Sequence, residues 1–249
     1  MLGIDRLAAV VTALGTTDFA GGLLGALNHD VAVDHLAIMR FEDRRRPPVI
    51  ESAVWRGGEF VAATQRAYLD RFYPHDPVLR CFGGGPRLLH LRREDIENRD
   101  YRESVYGHAG LLERISIATT DGGRLIALNL YRREPSGAFT PAELRLMARQ
   151  MPLLAAMTVK HVRMLAMLLR SRDRGDRASA LAERLRALEP DLTRREVDVL
   201  TRALGGMTST GIAIDLGISL NTVLTYRKRA YARLGVCRQA DLFSRCLGS

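Results

Sequence analysis

Apolar positions along the chain change period several times, and each change marks an element. From His35 to Phe41 the pattern alternates, with Leu36, Ile38 and Arg40 opposite Ala37, Met39 and Phe41, which predicts a strand. Val49–Trp55 reads as a second strand, and the charged, proline-ended stretch Asp43–Pro48 between them predicts a hairpin. Leu112–Thr119 and Arg124–Tyr131 form a second such pair around Asp121-Gly122-Gly123. Helical spacing appears in Ile4–Leu14 and Phe19–Leu27, separated by Gly15-Thr16-Thr17-Asp18. Glu59–Phe72 is helical between Gly57-Gly58 and Pro74. Gly83-Gly84-Gly85-Pro86 reads as a mobile hinge, followed by a short helix over Arg93–Arg102.

A long helical pattern begins at Pro141. Thr140 is its predicted cap, Glu143 completes a capping box, and Phe139 staples onto Leu144. It stays apolar to Leu169, with a kink expected at Pro152. The run Arg170–Arg177, charged and containing Gly175, then reads as a linker. Beyond it the helical period returns four times in short pieces. Thr193 and Glu196 make a second capping box; Val197, Leu200 and Leu204 form one stripe, and Ile212, Ala213 and Leu216 a second. After Gly217 and Ser219, Val223, Ala230 and Leu234 recur on one face of a third helix. Leu242, Phe243 and Leu247 share a face of the fourth. The predicted class is α+β: an antiparallel-sheet domain flanked by helices at residues 1–169, a linker at 170–190, and a four-helix domain at 191–249.

Charge sharpens the second domain. The chain carries a formal +9, and only Lys160 and Lys228 are lysines. Between Leu216 and Ala240 lie Arg227, Lys228, Arg229, Arg233 and Arg238 and no acidic residue. A helix with one apolar side and one basic side suits an anionic groove. The spacing is more specific still: Leu192-Thr193-Arg194-Arg195-Glu196, then Gly206, Ile212-Ala213, Leu216-Gly217-Ile218-Ser219, Thr222-Val223 and Tyr231-Ala232-Arg233-Leu234-Gly235-Val236, with no insertion. This resembles the LuxR/GerE-type helix-turn-helix. The resemblance implies double-stranded DNA as a partner, a homodimer, and a recognition helix whose Leu224, Thr225 and Lys228 face base edges. Ser219, Asn221, Thr222, Arg229 and Arg233 are the remaining DNA-facing candidates. Leu224 and Tyr226 depart from the Lys and His usual in that family, so the base preference need not be the family's.

The first domain is similar to GAF and PAS sensor layouts and to autoinducer-binding domains. The residues carrying the latter are Tyr68 and Asp76-Pro77-Val78. That resemblance implies a small-molecule ligand and the candidate pocket residues Trp55, Tyr68, Tyr73 and Asp76. Asp76 would accept a hydrogen bond from the ligand, or else serve as an Asp-Pro turn or cap. Thr64 stands where the family has a Trp, and Trp55 is the chain's only tryptophan, so a standard acyl-homoserine-lactone site is not expected.

Other chemistry finds little support. The six histidines show no metal-ligand spacing, and no catalytic residue, metal or cofactor is expected. Three cysteines at wide spacing suggest free thiols and a cytoplasmic setting. No uncharged apolar run of about 18 residues occurs, so no membrane partner is expected. A regulator that binds DNA and senses a small molecule is the leading reading. The alternative is a ligand-binding or enzymatic α+β domain whose basic bundle serves protein contacts.

Overall fold

The computed structural model of the chain describes residues 3–55 and 58–247, and within the helices the side chains of Asp173, Arg174, Ala240, Phe243 and Leu247 lie outside that description. The chain divides into two compact units, Met1–Ala166 and Met167–Ser249.

The first unit is built on one five-stranded antiparallel sheet in the order β2-β1-β5-β4-β3. The strands are β1 (His35–Phe41), β2 (Val49–Val54), β3 (Arg87–Arg92), β4 (Leu111–Asp121) and β5 (Arg124–Arg133). Both expected hairpins are present, β1 with β2 and β4 with β5. Gly122 and Gly123, with φ of 54° and 80°, form the two-residue turn between β4 and β5. Both backbones are left-handed there, a conformation that glycine adopts without steric cost and that matches the twist of a hairpin.

Period-two alternation divides the sheet's residues between two cores. On one face Leu36, Ile38, Ile115, Ile117, Leu128 and Leu130 pack under α1 (Ile4–Thr12), α2 (Phe19–Leu27) and the first part of α5 (Pro141–Leu188). On the other, Ala37, Met39, Phe41, Leu125, Ala127 and Tyr131 lie under α3 (Val61–Ala67) and the segments around α4 (Arg99–Tyr101). His161 of α5 ties three elements of the first face together. Its Nδ1 accepts the Gly15 N–H at 3.1 Å, its Nε2 lies 2.7 Å from Glu51 on β2, and its ring stacks on Phe19 at 4.2 Å. The accepted bond at Nδ1 places the ring proton on Nε2, facing the carboxylate.

Four expectations need correction. The stretch after Gly85 is not loop then helix, because Arg87–Arg92 forms edge strand β3 on β4. Its consecutive leucines hide the alternation, and the arginines at its ends suit an edge. The glycine stretch before it is pinned rather than free, since Gly83 N–H donates to Thr120 Oγ1 at 2.9 Å and Thr120 N–H to Gly84 O at 3.1 Å. The expected helix 59–72 begins at Val61 and ends in a π-helical turn, Tyr68–Phe72, and the expected helix 93–102 is broken at 96–98 and runs on through a second π-helical turn, Arg102–Gly107.

The fourth correction concerns the linker. Residues 170–188 are helical, because α5 continues through Gly175 to Leu188. Arginine, alanine and leucine favour helix, and one interior glycine costs only about 1 kcal/mol. The same helix runs through Pro152. By length and composition α5 could cross a bilayer; within the first unit, however, Met147, Leu154, Ala155, Met157 and His161 are buried in the core.

The second unit comprises the end of α5, α6 (Arg194–Leu204), α7 (Ser209–Leu216), α8 (Leu220–Leu234) and α9 (Gln239–Leu247). Leu185 of α5 packs with Leu192, Val197, Leu200, Leu234 and Leu242, so the expected linker supplies core. Leu242 is fully buried there and is not available as a dimer contact.

Candidate DNA interface and ligand cavity

The geometry of the second unit follows from its caps. Thr193 Oγ1 accepts the Glu196 N–H at 3.3 Å, and Glu196 Oε2 accepts the Thr193 N–H at 2.8 Å, closing the capping box. At the next junction Gly217 takes φ +65°, which ends α7, and the Ile218 N–H reaches back to Ala213 O at 3.0 Å. Ser219 then starts α8, its Oγ accepting the Thr222 N–H at 3.1 Å. This is helix, tight turn, helix. Val223, Ala230 and Leu234 turn inward, and Leu220, Asn221, Leu224, Thr225, Lys228 and Arg229 form the outer face.

Seven of the eight candidate DNA residues fall into three groups. Leu224, Lys228 and Arg229 are exposed, and among the described residues neither cation makes an ion pair or a side-chain hydrogen bond. Asn221 and Thr225 also lie on the outer face, with Thr225 Oγ1 donating to Asn221 O at 2.8 Å. Ser219 and Thr222 hold the helix start, their hydroxyls 2.7 Å apart.

Arg233 does not join them. It bonds Asp191 O and lies 3.1 Å from Glu196 Oε2, pinning the end of α8 to the start of α6. Glu196 is 2% exposed, so Arg233 offsets a buried carboxylate. Arg233→Ala is therefore expected to cost on the order of 1 kcal/mol of stability and to leave the salt dependence of DNA binding unchanged. Urea unfolding beside a salt titration checks both. Arg227 is likewise internal, bonding Ser209 at 2.8 Å and the Tyr231 hydroxyl at 2.9 Å. A helix with two unpaired cations and an exposed leucine, set on a capped turn, has the shape and charge of a major-groove reader.

In the first unit the four candidate pocket residues separate. Asp76 is fully buried and saturated. Arg114 donates to it through two nitrogens at 2.7 and 2.9 Å, the Tyr68 hydroxyl at 2.8 Å and the Val78 N–H at 2.9 Å. Burial alone would raise its pKa; the Arg114 charge and hydrogen bonds, with those of Val78 and Tyr68, outweigh it and hold the carboxyl below its ordinary value. Asp76 therefore holds Arg114 and caps the turn Pro77–Cys81, and has no bond left for a ligand.

Tyr68 lines a cavity of about 30 Å³ between the sheet and α3, with His35, Ala37, Phe60, Thr64, Tyr101, Tyr106 and Tyr131 among its walls. Asp76 lies outside it. Trp55 is half exposed and turned toward Gly25 of α2, and Tyr73 is held by Arg45 O at 2.6 Å, so neither reaches the cavity. Thr64, at the position of the expected Trp, spends its hydroxyl on Phe60 O at 2.8 Å.

The residues that sequence reasoning missed are Arg114, His35, Tyr101 and Tyr106. Arg114 left a signal, a charge in the middle of an apolar alternating strand that demands a buried partner. Cys81 is buried, and burial pushes its thiol upward.

Comparison with known proteins places both units. The second is a helix-turn-helix DNA-binding domain. Residues 190–245 match the family described as bacterial regulatory proteins, luxR family. No curated protein matches the chain. Among solved structures, the VqsR LBD domain from Pseudomonas aeruginosa aligns with a TM-score of 0.50 at 20% identity, covering 64% of this chain and 96% of that one. Escherichia coli SdiA aligns at TM-score 0.47 and 17% identity over 97% of this chain and 94% of its own. Burkholderia cenocepacia CepR2, an N-acylhomoserine-lactone-dependent LuxR-family factor, aligns at 0.48 and 15% over 67% and 94%. The first of these supports the α+β fold of the first unit.

Proposed function

We propose that the chain is a cytoplasmic transcription regulator in which residues 191–249 bind duplex DNA as a homodimer and residues 1–169 sense a small molecule. The carrying observation is the luxR-family domain with its exposed, unpaired Leu224, Lys228 and Arg229 on one face of α8. Two subunits, each placing one such helix in the major groove, would read half-sites about one helical turn apart. Sensing is supported by the enclosed cavity of the first unit and by the sensor-type fold around it. Nothing in this reading requires catalysis, because the buried charged pair Asp76–Arg114 is consumed in holding the fold.

Sedimentation of the full chain with a duplex carrying two half-sites tests the assembly. Two chains per duplex are expected. One chain per duplex at micromolar concentration, with a footprint of a single half-site, would contradict the dimer.

A further inference from the structure

Three buried polar atoms without well-formed hydrogen bonds belong to residues that line the cavity of the first unit. His35 is 6% exposed, and neither ring nitrogen makes a hydrogen bond. Tyr106 is fully buried, and its hydroxyl has only a poor contact with the Tyr101 side chain and no well-formed hydrogen bond. Both line the cavity. An unmet donor or acceptor in a core is costly, and native interiors keep very few of them. Two such side chains facing one space are free to bond an occupant with hydrogen-bonding groups.

The walls define that occupant further. His35 stacks on Tyr131 at 5.1 Å and meets the edge of Phe60 at 6.0 Å, while Tyr101 stands between Tyr68 at 6.3 Å and Tyr106 at 5.8 Å. Aromatic walls on several sides favour a flat ring, which gains stacking beyond its buried area. No free charge faces the space, because Arg114 is paired bidentately with Asp76. Burial lowers the His35 pKa to about 4, which leaves the imidazole neutral, with one donor and one acceptor. A carboxylate would enter without a counter-charge.

The cavity holds only a water or two in this state, so binding requires its roof to move. That roof includes Tyr68, which begins one π-helical turn, and Val105 and Tyr106, which sit in the other. Such turns are strained interruptions of a helix that recur at functional sites.

We infer that His35 and Tyr106, rather than Asp76, are the polar anchors of this pocket, and that they select a small uncharged ring compound carrying a carbonyl acceptor and a hydroxyl donor. This rests on the reading that the first unit senses a small molecule. The ligand's acceptor would meet the Tyr106 hydroxyl and the protonated His35 nitrogen, and its hydroxyl the other nitrogen.

Calorimetric titration of the full chain with 2,4-dihydroxyacetophenone, octanoyl-homoserine lactone and octanoate tests the assignment. The ketone is expected to bind in the micromolar range, with octanoate silent. His35→Phe should weaken ketone binding at least tenfold while raising the melting temperature of the empty protein by about 2–4 °C, because two unmet polar atoms leave the core. Tyr106→Phe, which removes one oxygen, provides a second variant and should also weaken binding about tenfold. A cooperative melting transition with the wild-type near-ultraviolet dichroism confirms that the first unit of each variant folds. Lactone binding without ketone binding would overturn this assignment and leave the sensing reading standing. Ketone binding unchanged in both variants would overturn the anchors. Silence toward all three compounds overturns the ligand class assigned here.

Discussion

Asp76→Ala should lower the stability of the chain by about 3–5 kcal/mol, since it leaves the guanidinium of Arg114 buried and uncompensated. Arg114 is 2% exposed and its Nε already lacks a partner, so no solvent is at hand to absorb the loss. Removing both members, as in Asp76→Leu with Arg114→Met, should recover most of the loss, since a matched apolar pair carries no desolvation cost. Urea unfolding of the two single variants and the double variant measures the coupling. Single-variant costs below about 1 kcal/mol would show that the pair does not hold the fold.

The same pair sets an acid limit. The Asp76 carboxyl is held below its ordinary value in the folded chain, so its contribution is fully present above the unfolded carboxyl pKa. It is lost as pH falls through the lowered folded value. Stability of the wild type should therefore fall on acidification more steeply than that of the apolar double variant.

Lys228→Ala should cost about 1–3 kcal/mol on the preferred operator and relax discrimination at one base position, because in the proposed complex this exposed, unpaired cation on the outer face of α8 would meet a base edge. Arg229→Ala should instead weaken all sequences alike and reduce the slope of log affinity against log salt by about 1. Leu224 adds a separate signature. An exposed leucine has only an apolar contact to offer, and the thymine methyl is the apolar group of the major groove. Replacing the contacted thymine by uracil should weaken wild-type binding and leave Leu224→Ala unaffected. Equal losses in both proteins would remove Leu224 from the readout. Quantitative mobility shifts across 50–200 mM salt separate these cases.

How much was legible depended on whether the signal was local. The helix-turn-helix was readable residue by residue, since its caps at Thr193 and Ser219 and its turn at Gly217 are fixed by neighbours within five positions. The two hairpins were readable for the same reason, alternation on either side of a turn. Edge strand β3 was not, because its pairing to β4 spans a long loop and its leucines do not alternate with polar residues. Asp76 was singled out correctly as unusual, yet its partner Arg114 lies 38 residues away, a separation that no local pattern reports. The same holds for Arg233, which stays exposed but whose hydrogen bonds go to Asp191 and Glu196 at the opening of the domain. His35 reads as an ordinary first residue of a strand, and only the assembled core shows that its ring nitrogens are unmet.

The central claim, that α8 of the full chain reads duplex DNA by sequence, is tested most directly by selecting binders from a random duplex library and titrating the enriched duplex in salt. The account predicts a two-fold symmetric consensus bound with an affinity that falls linearly in log salt, with Lys228→Ala flattening the preference at one position of each half-site. Enrichment of no sequence, or equal affinity of wild type and Lys228→Ala for every duplex, would contradict it.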